Sequence, residues 1–170
     1  ADGVIMFACG EFFTVRDCDS WDCGGGRWFA NGSALDDILQ ASVYRNKIYK
    51  ASGEAAGQVF DYATGTWTVA QAITDNVVQD MRASAQIASV DFSDHDAAGT
   101  VIDFNQYYAP NDANAEFLFD GATDKTFSEW QAAGFDANGS VANPGWIDPA
   151  NGVFDLPAGK VRFTLTMQAA

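Results

Sequence analysis

Along the first 110 residues, apolar and polar side chains alternate in short runs, such as 58–62, 67–73 and 85–92. Small, polar or glycine-containing stretches separate them at 51–57, 63–66 and 93–99. This pattern predicts short strands joined by loops. One alternation recurs as Val43-Tyr-Arg-Asn46-Lys-Ile48, Ile73-Thr-Asp-Asn76-Val-Val78 and Ile102-Asp-Phe-Asn105-Gln-Tyr107, with the asparagines 30 and 29 residues apart. A fourth copy, Val15-Arg-Asp-Cys18-Asp-Ser20, lies 28 residues upstream with cysteine in the asparagine slot. Every copy has an apolar residue three positions before the slot, and three of the four have one two positions after it.

A fixed period of this size predicts stacked supersecondary units. Strand-rich units with asparagine at a bend suggest coils of a parallel β-helix, in which equivalent side chains lie about 4.8 Å apart. Asparagine suits such a bend because it tolerates left-handed backbone angles and can bond to its copy in the next coil. The second position after the slot (Ser20, Ile48, Val78, Tyr107) should point inward. The third (Trp21, Tyr49, Gln79, Tyr108) should point outward, because a strand alternates faces. Stacking also sets Asp17 beside Arg45 beside Asp75, and Asp19 beside Lys47, so that opposite charges face each other across strands.

After Pro110 the periodicity stops. Thr126-Phe-Ser-Glu129 reads as a capping box that opens a short helix through Trp130, closed by Gly134. Residues 135–156 are turn-rich, and Val161-Arg-Phe163-Thr-Leu165-Thr-Met167 alternates as a half-buried final strand would. The resulting expectation is an all-β fold: a right-handed parallel β-helix of about four coils over 1–110, closed by a cap containing one short helix over 111–170, the two forming one structural unit.

Charge narrows the partners. The formal net charge of −14 makes nucleic acid and anionic membrane surfaces poor partners. No apolar run approaches the roughly 20 residues of a membrane span. Five of the nine basic residues, Arg16, Arg27, Arg45, Lys47 and Lys50, fall in the first fifty positions. Of three cysteines, Cys9, Cys18 and Cys23, at least one must be unpaired, and stacked, buried free thiols are expected ahead of a Cys18–Cys23 or Cys9–Cys18 disulfide. The opening Ala1-Asp-Gly-Val-Ile-Met-Phe reads like mid-strand sequence, so a partner or further coils are expected against the first coil.

The segment Phe127-Ser-Glu-Trp130-Gln-Ala-Ala-Gly134-Phe-Asp136-Ala-Asn138-Gly-Ser140, then Asn143-Pro144-Gly-Trp146-Ile-Asp148-Pro149 and Phe154-Asp-Leu156, resembles the C-terminal end of secreted parallel β-helix proteins of the pectate-lyase-like superfold. Gly139 interrupts the family's Asn-Ser pair, and Gly159-Lys-Val-Arg-Phe stands in place of its Ser-Pro-Ala close. The resemblance implies an extracellular, carbohydrate-active protein. Because the superfold hosts lyases, hydrolases, esterases, tailspikes and adhesins, it implies no single reaction.

Candidate chemistry follows from residue type. A uronate-polysaccharide lyase needs a cation for the sugar carboxylate and a base for the α-proton, roles open to Arg16, Arg45, Lys47 and Tyr49 on neighbouring coils. A hydrolase needs two carboxyl groups about 5–9 Å apart, which Glu11, Asp17, Asp19 and Asp22 are dense enough to supply. Trp21, Tyr49 and Tyr108 form an outward column suited to sugar faces or a partner protein, unless loops or the C-terminal segment cover it. Asp112, Asn114 and Glu116 offer alternate oxygen ligands for Ca2+. His95, the single histidine, sits in a polar loop. Asn31 and Asn138 open sequons that are equally turn signals. Two functions are carried forward: an extracellular polysaccharide-binding or polysaccharide-cleaving module, lyase-like more than hydrolase, and a non-catalytic structural or adhesive subunit of a fibre, spike or surface assembly.

Overall fold

A computed structural model describes residues 5–6, 12–21, 29–30, 40–53, 59–62, 72–83, 86–90, 101–112, 116–119 and 123–155. Over the described residues the fold is mostly β, with parallel sheets and one α-helix. The first repeat supplies β1 (Ile5–Met6), β2 (Phe12–Arg16) and β3 (Asp19–Ser20); the second supplies β4 (Phe29–Ala30), β5 (Gln40–Tyr44) and β6 (Lys47–Lys50). The third supplies β7 (Phe60–Tyr62), β8 (Ala72–Thr74) and β9 (Val77–Asp80); the fourth supplies β10 (Gln86–Val90), β11 (Val101–Asp103) and β12 (Gln106–Tyr108). Beyond them lie β13 (Glu116–Phe119), β14 (Thr123–Lys125), the helix α1 (Phe127–Ala132) and β15 (Ser140–Val141).

Each repeat gives one strand to each of three sheets, ordered β1-β4-β7-β10-β13-β14, β11-β8-β5-β2 and β15-β12-β9-β6-β3. Among the described strands, pairing is parallel except between β13 and β14. The register is the one the repeat predicts. Val15 lies beside Val43, Val43 beside Ile73 and Ile73 beside Ile102. Asp19 lies beside Lys47, Lys47 beside Val77 and Val77 beside Gln106.

Alternation decides what is buried. The β-branched column Val15, Val43, Ile73 and Ile102 points inward and is buried, as are Ile48, Val78 and Tyr107 two positions after the slot. Between these columns Asn46, Asn76 and Asn105 are wholly buried. The left-handed backbone belongs to the residue before each slot: Asp17, Arg45, Asp75 and Phe104 have φ of 55°, 56°, 58° and 60°. This corrects the sequence expectation. The preceding residue makes the turn between sheets, and the asparagine is then free to point inward and bond.

The cap follows its sequence signals. Thr126 and Glu129 form the reciprocal capping box, and Gly134 at φ 99° closes the helix. Trp130, fully buried, stacks near Phe117 and Phe135, while Tyr107 meets Phe117 edge-on at 5.1 Å. These rings plug the last repeat. The alternation at 161–167, with Cys9, Cys23, Asn31 and His95, lies outside the described residues.

Candidate functional site

Three groupings of polar side chains carry the chemistry of this molecule. The first is the internal ladder. Asn76 Oδ1 accepts from Asn46 N and Nδ2 at 3.1 and 2.9 Å, and Asn105 Oδ1 accepts from Asn76 N and Nδ2, both at 3.0 Å. Each amide also donates to a carbonyl one repeat back: Asn46 to Val15, Asn76 to Val43, Asn105 to Ile73. The amide dipoles therefore run in one direction, and aligned hydrogen bonds polarise one another.

The ladder ends on Asp136, 31 residues after Asn105. Its Oδ1 takes both donors of Asn105, N at 3.1 Å and Nδ2 at 2.8 Å, as the next asparagine would. Its Oδ2 accepts from Tyr107 Oη at 2.7 Å and Trp130 Nε1 at 3.0 Å. A carboxylate has no N–H to satisfy, so it can end the chain of donors and still fix the two rings of the plug. Burial pushes the Asp136 carboxyl above its ordinary value, and the bonds from Tyr107, Trp130 and Asn105 pull it only part of the way back.

Gly139 makes this arrangement possible. Pairing of Gln106 with Ser140 places Gly139 in the backbone register of the asparagine slot, and Ser140 N donates to Asn105 O as Gln106 N does to Asn76 O. A Cβ on Gly139 would stand 2.7 Å from Asp136 Cβ and 3.0 Å from Asn105 O. Asp136 occupies the space that residue 139 leaves vacant. The signal was available in the sequence as one further interval of about thirty residues, but the slot there is filled by aspartate three positions ahead of its backbone register.

The second grouping is the charged corner where the turns expose their side chains. Arg45 grips Asp17 with Nε on Oδ1 at 2.7 Å and the second guanidinium nitrogen on Oδ2 at 2.8 Å. This pairing holds the Asp17 carboxyl below its ordinary value and raises Arg45. Lys47 Nζ lies 3.4 Å from Asp19, and Arg16 Nε lies 3.9 Å from Asp17. The cations Arg16, Arg45 and Lys47 are thus brought together on neighbouring repeats, each with a carboxylate. Tyr49, two residues beyond Lys47 on the same strand, lies in a more covered setting that Lys47 borders.

That setting is the outer face of the β3-β6-β9-β12 sheet, covered by residues 143–155. Val77, Trp146 and Phe154 form a second buried cluster with Tyr49 packed against it. Phe154 meets Trp146 edge-on at 4.7 Å and lies 6.2 Å from Trp21, and Lys47 Nζ sits 5.9 Å above its ring. Gly152, at φ 77°, approaches Trp21 so closely that a Cβ would stand 2.6 Å from the indole. Trp21 keeps 45% of its surface exposed, and Tyr108 is half-buried.

A third grouping escaped sequence reading. Lys50, Asp80 and Arg82 are buried, and Arg82 forks onto Asp80 with contacts of 2.9, 3.2 and 2.6 Å. Lys50 lies in register beside Asp80. The inward parity of the fourth position after the slot was the signal, but charge there reads by default as surface. Asp112 is half-buried with its N bonded to Ala109 O, Asn114 lies outside the described residues, and Glu116 opens β13. Among the described residues no three His, Cys, Asp or Glu side chains gather as metal ligands, and no helix is long and apolar enough to cross a membrane. Cys18 is a free thiol, its Sγ 3.3 Å from Arg16 O.

Comparison with protein-family models, with curated proteins and with solved structures gives no match to this chain.

Proposed function

We propose that the chain is a right-handed parallel β-helix of the pectate-lyase-like kind that serves as a structural or adhesive module of an extracellular assembly. The observation carrying this reading is that Tyr49, the middle ring of the outward column, is packed against the cluster that residues 143–155 build on the sheet when they are closed over it. The paired cations add support, since a lyase cation must be free to meet a sugar carboxylate, and Arg45 is held by Asp17 in a two-pronged contact. The interior is built for order: an amide ladder, one acceptor at its end and a ring plug.

The carbohydrate-active reading rests on the placement of Arg16, Arg45 and Lys47 on adjacent repeats. One assay separates the two. The protein is incubated with a panel of acidic polysaccharides, with and without Ca2+, and the absorbance of unsaturated products is followed. The structural reading expects no product from any of them. Product that disappears in Arg45→Ala or Lys47→Ala would replace it with the lyase reading.

A further inference from the structure

We infer that residues 143–155 form a strap that opens and closes as a unit of its own while the asparagine ladder stays intact, uncovering a ring-lined face of the sheet. Four observations converge on this segment. Its hydrophobic cluster of Val77, Trp146 and Phe154 is distinct from the main core, on the opposite face of the sheet. The hydrogen bonds that shape it are local: Gly145 N to Asn143 Oδ1, Ile147 N to Asp155 O, and the two bonds between Asp148 and Val153. Its grip on the sheet is made by rings, Phe154 against Trp21 with Lys47 above it and Trp146 behind. And Trp146 Nε1 is buried there with no hydrogen-bond partner among the described residues.

A buried N–H without an acceptor favours the state in which water reaches it, so the closed strap carries a built-in bias toward opening. Segments with few buried contacts and local bonding open below the global unfolding threshold. By contrast, the ladder runs through the main core, and to break it would strand buried amides in several repeats. Opening exposes Tyr49 and Val77 on the sheet and frees the Trp21 and Lys47 contacts to Phe154. What is uncovered is a strip of rings and one ammonium on a flat sheet.

The test is hydrogen exchange of the full chain, resolved by peptide, in increasing urea below the global transition. Amides of 145–153 are expected to exchange at urea concentrations that leave amides of 72–80 and 101–107 protected. Phe154→Ala should speed exchange of the strap tenfold or more without moving the ladder peptides. Trp146→Phe, which removes the stranded N–H and keeps a ring, should slow it. The inference is overturned if strap and ladder exchange together with the same urea dependence, if Phe154→Ala unfolds the chain as a whole, or if Trp146→Phe loosens the strap.

Discussion

Replacing Asn76 by alanine tests the ladder at its centre. The substitution removes four side-chain hydrogen bonds: two accepted from Asn46, and two donated to Val43 O and Asn105 Oδ1. The backbone bond from residue 76 N to Asn105 Oδ1 survives. Asn46 N then loses its acceptor inside a buried site, at a cost of about 1–3 kcal/mol, and three further groups each lose one of their partners at about 0.5 kcal/mol. A small void adds about 1 kcal/mol. The total is about 3.5–5.5 kcal/mol, a large part of the roughly 5–15 kcal/mol by which domains are stable. Equilibrium urea unfolding followed by far-ultraviolet circular dichroism measures it. Asn111→Ala is the control, since that side chain makes one exposed bond to Met81 O and should cost within about 0.5 kcal/mol. If Asn76→Ala proves no more costly than Asn111→Ala, the ladder does not hold the repeats together.

Other substitutions probe the ends and flanks of the same system. Asp136→Asn keeps an acceptor for Asn105 but turns an N–H toward Trp130 Nε1, and should cost about 1–3 kcal/mol by urea titration. Because burial raises the folded pKa of Asp136, its contribution is fully present below the unfolded value of 3.8 and declines as pH rises through the folded value. The gap between wild type and Asp136→Asn should therefore be wider in acid than at neutral pH, opposite in sign to the contributions of Asp17 and Glu129, whose lowered values make theirs fade on acidification. Gly139→Ala should lower the melting temperature by driving a methyl group against Asp136 Cβ, and Asp136→Gly in the same chain, which removes that Cβ at a positive φ, should shrink the additional loss caused by Gly139→Ala. Arg82→Met leaves Asp80 buried without its fork and should cost about 3–5 kcal/mol in the same urea assay.

Much of this architecture was legible in the chain. The interval between Asn46, Asn76 and Asn105 set the register, since a slip of one residue would turn Val43, Ile73 and Ile102 outward. Local rules sufficed for α1, whose cap is written in Thr126 and Glu129. The pairing of Asp17 with Arg45 and of Asp19 with Lys47 followed from that register alone.

What the sequence could not decide were contacts between segments far apart along it and without a shared period. Asp136 joins the ladder from three positions ahead of its backbone register because Gly139 leaves room, a steric fact that exists only once β15 has docked. Which turn residue carries the left-handed angle depends on where the sheets meet, so it fell to Asp17, Arg45, Asp75 and Phe104 and not to the asparagines. Lys50 and Asp80 are buried because strand parity placed them inward, and Arg82, just past the end of β9, is buried with Asp80, against the usual preference of charge for water. The face around Tyr49 was decided by the path of residues 143–155, which nothing in the local pattern of either partner encodes. Periodic, near-neighbour interactions are written in sequence spacing; docking between unlike segments is settled by shape, after both have folded.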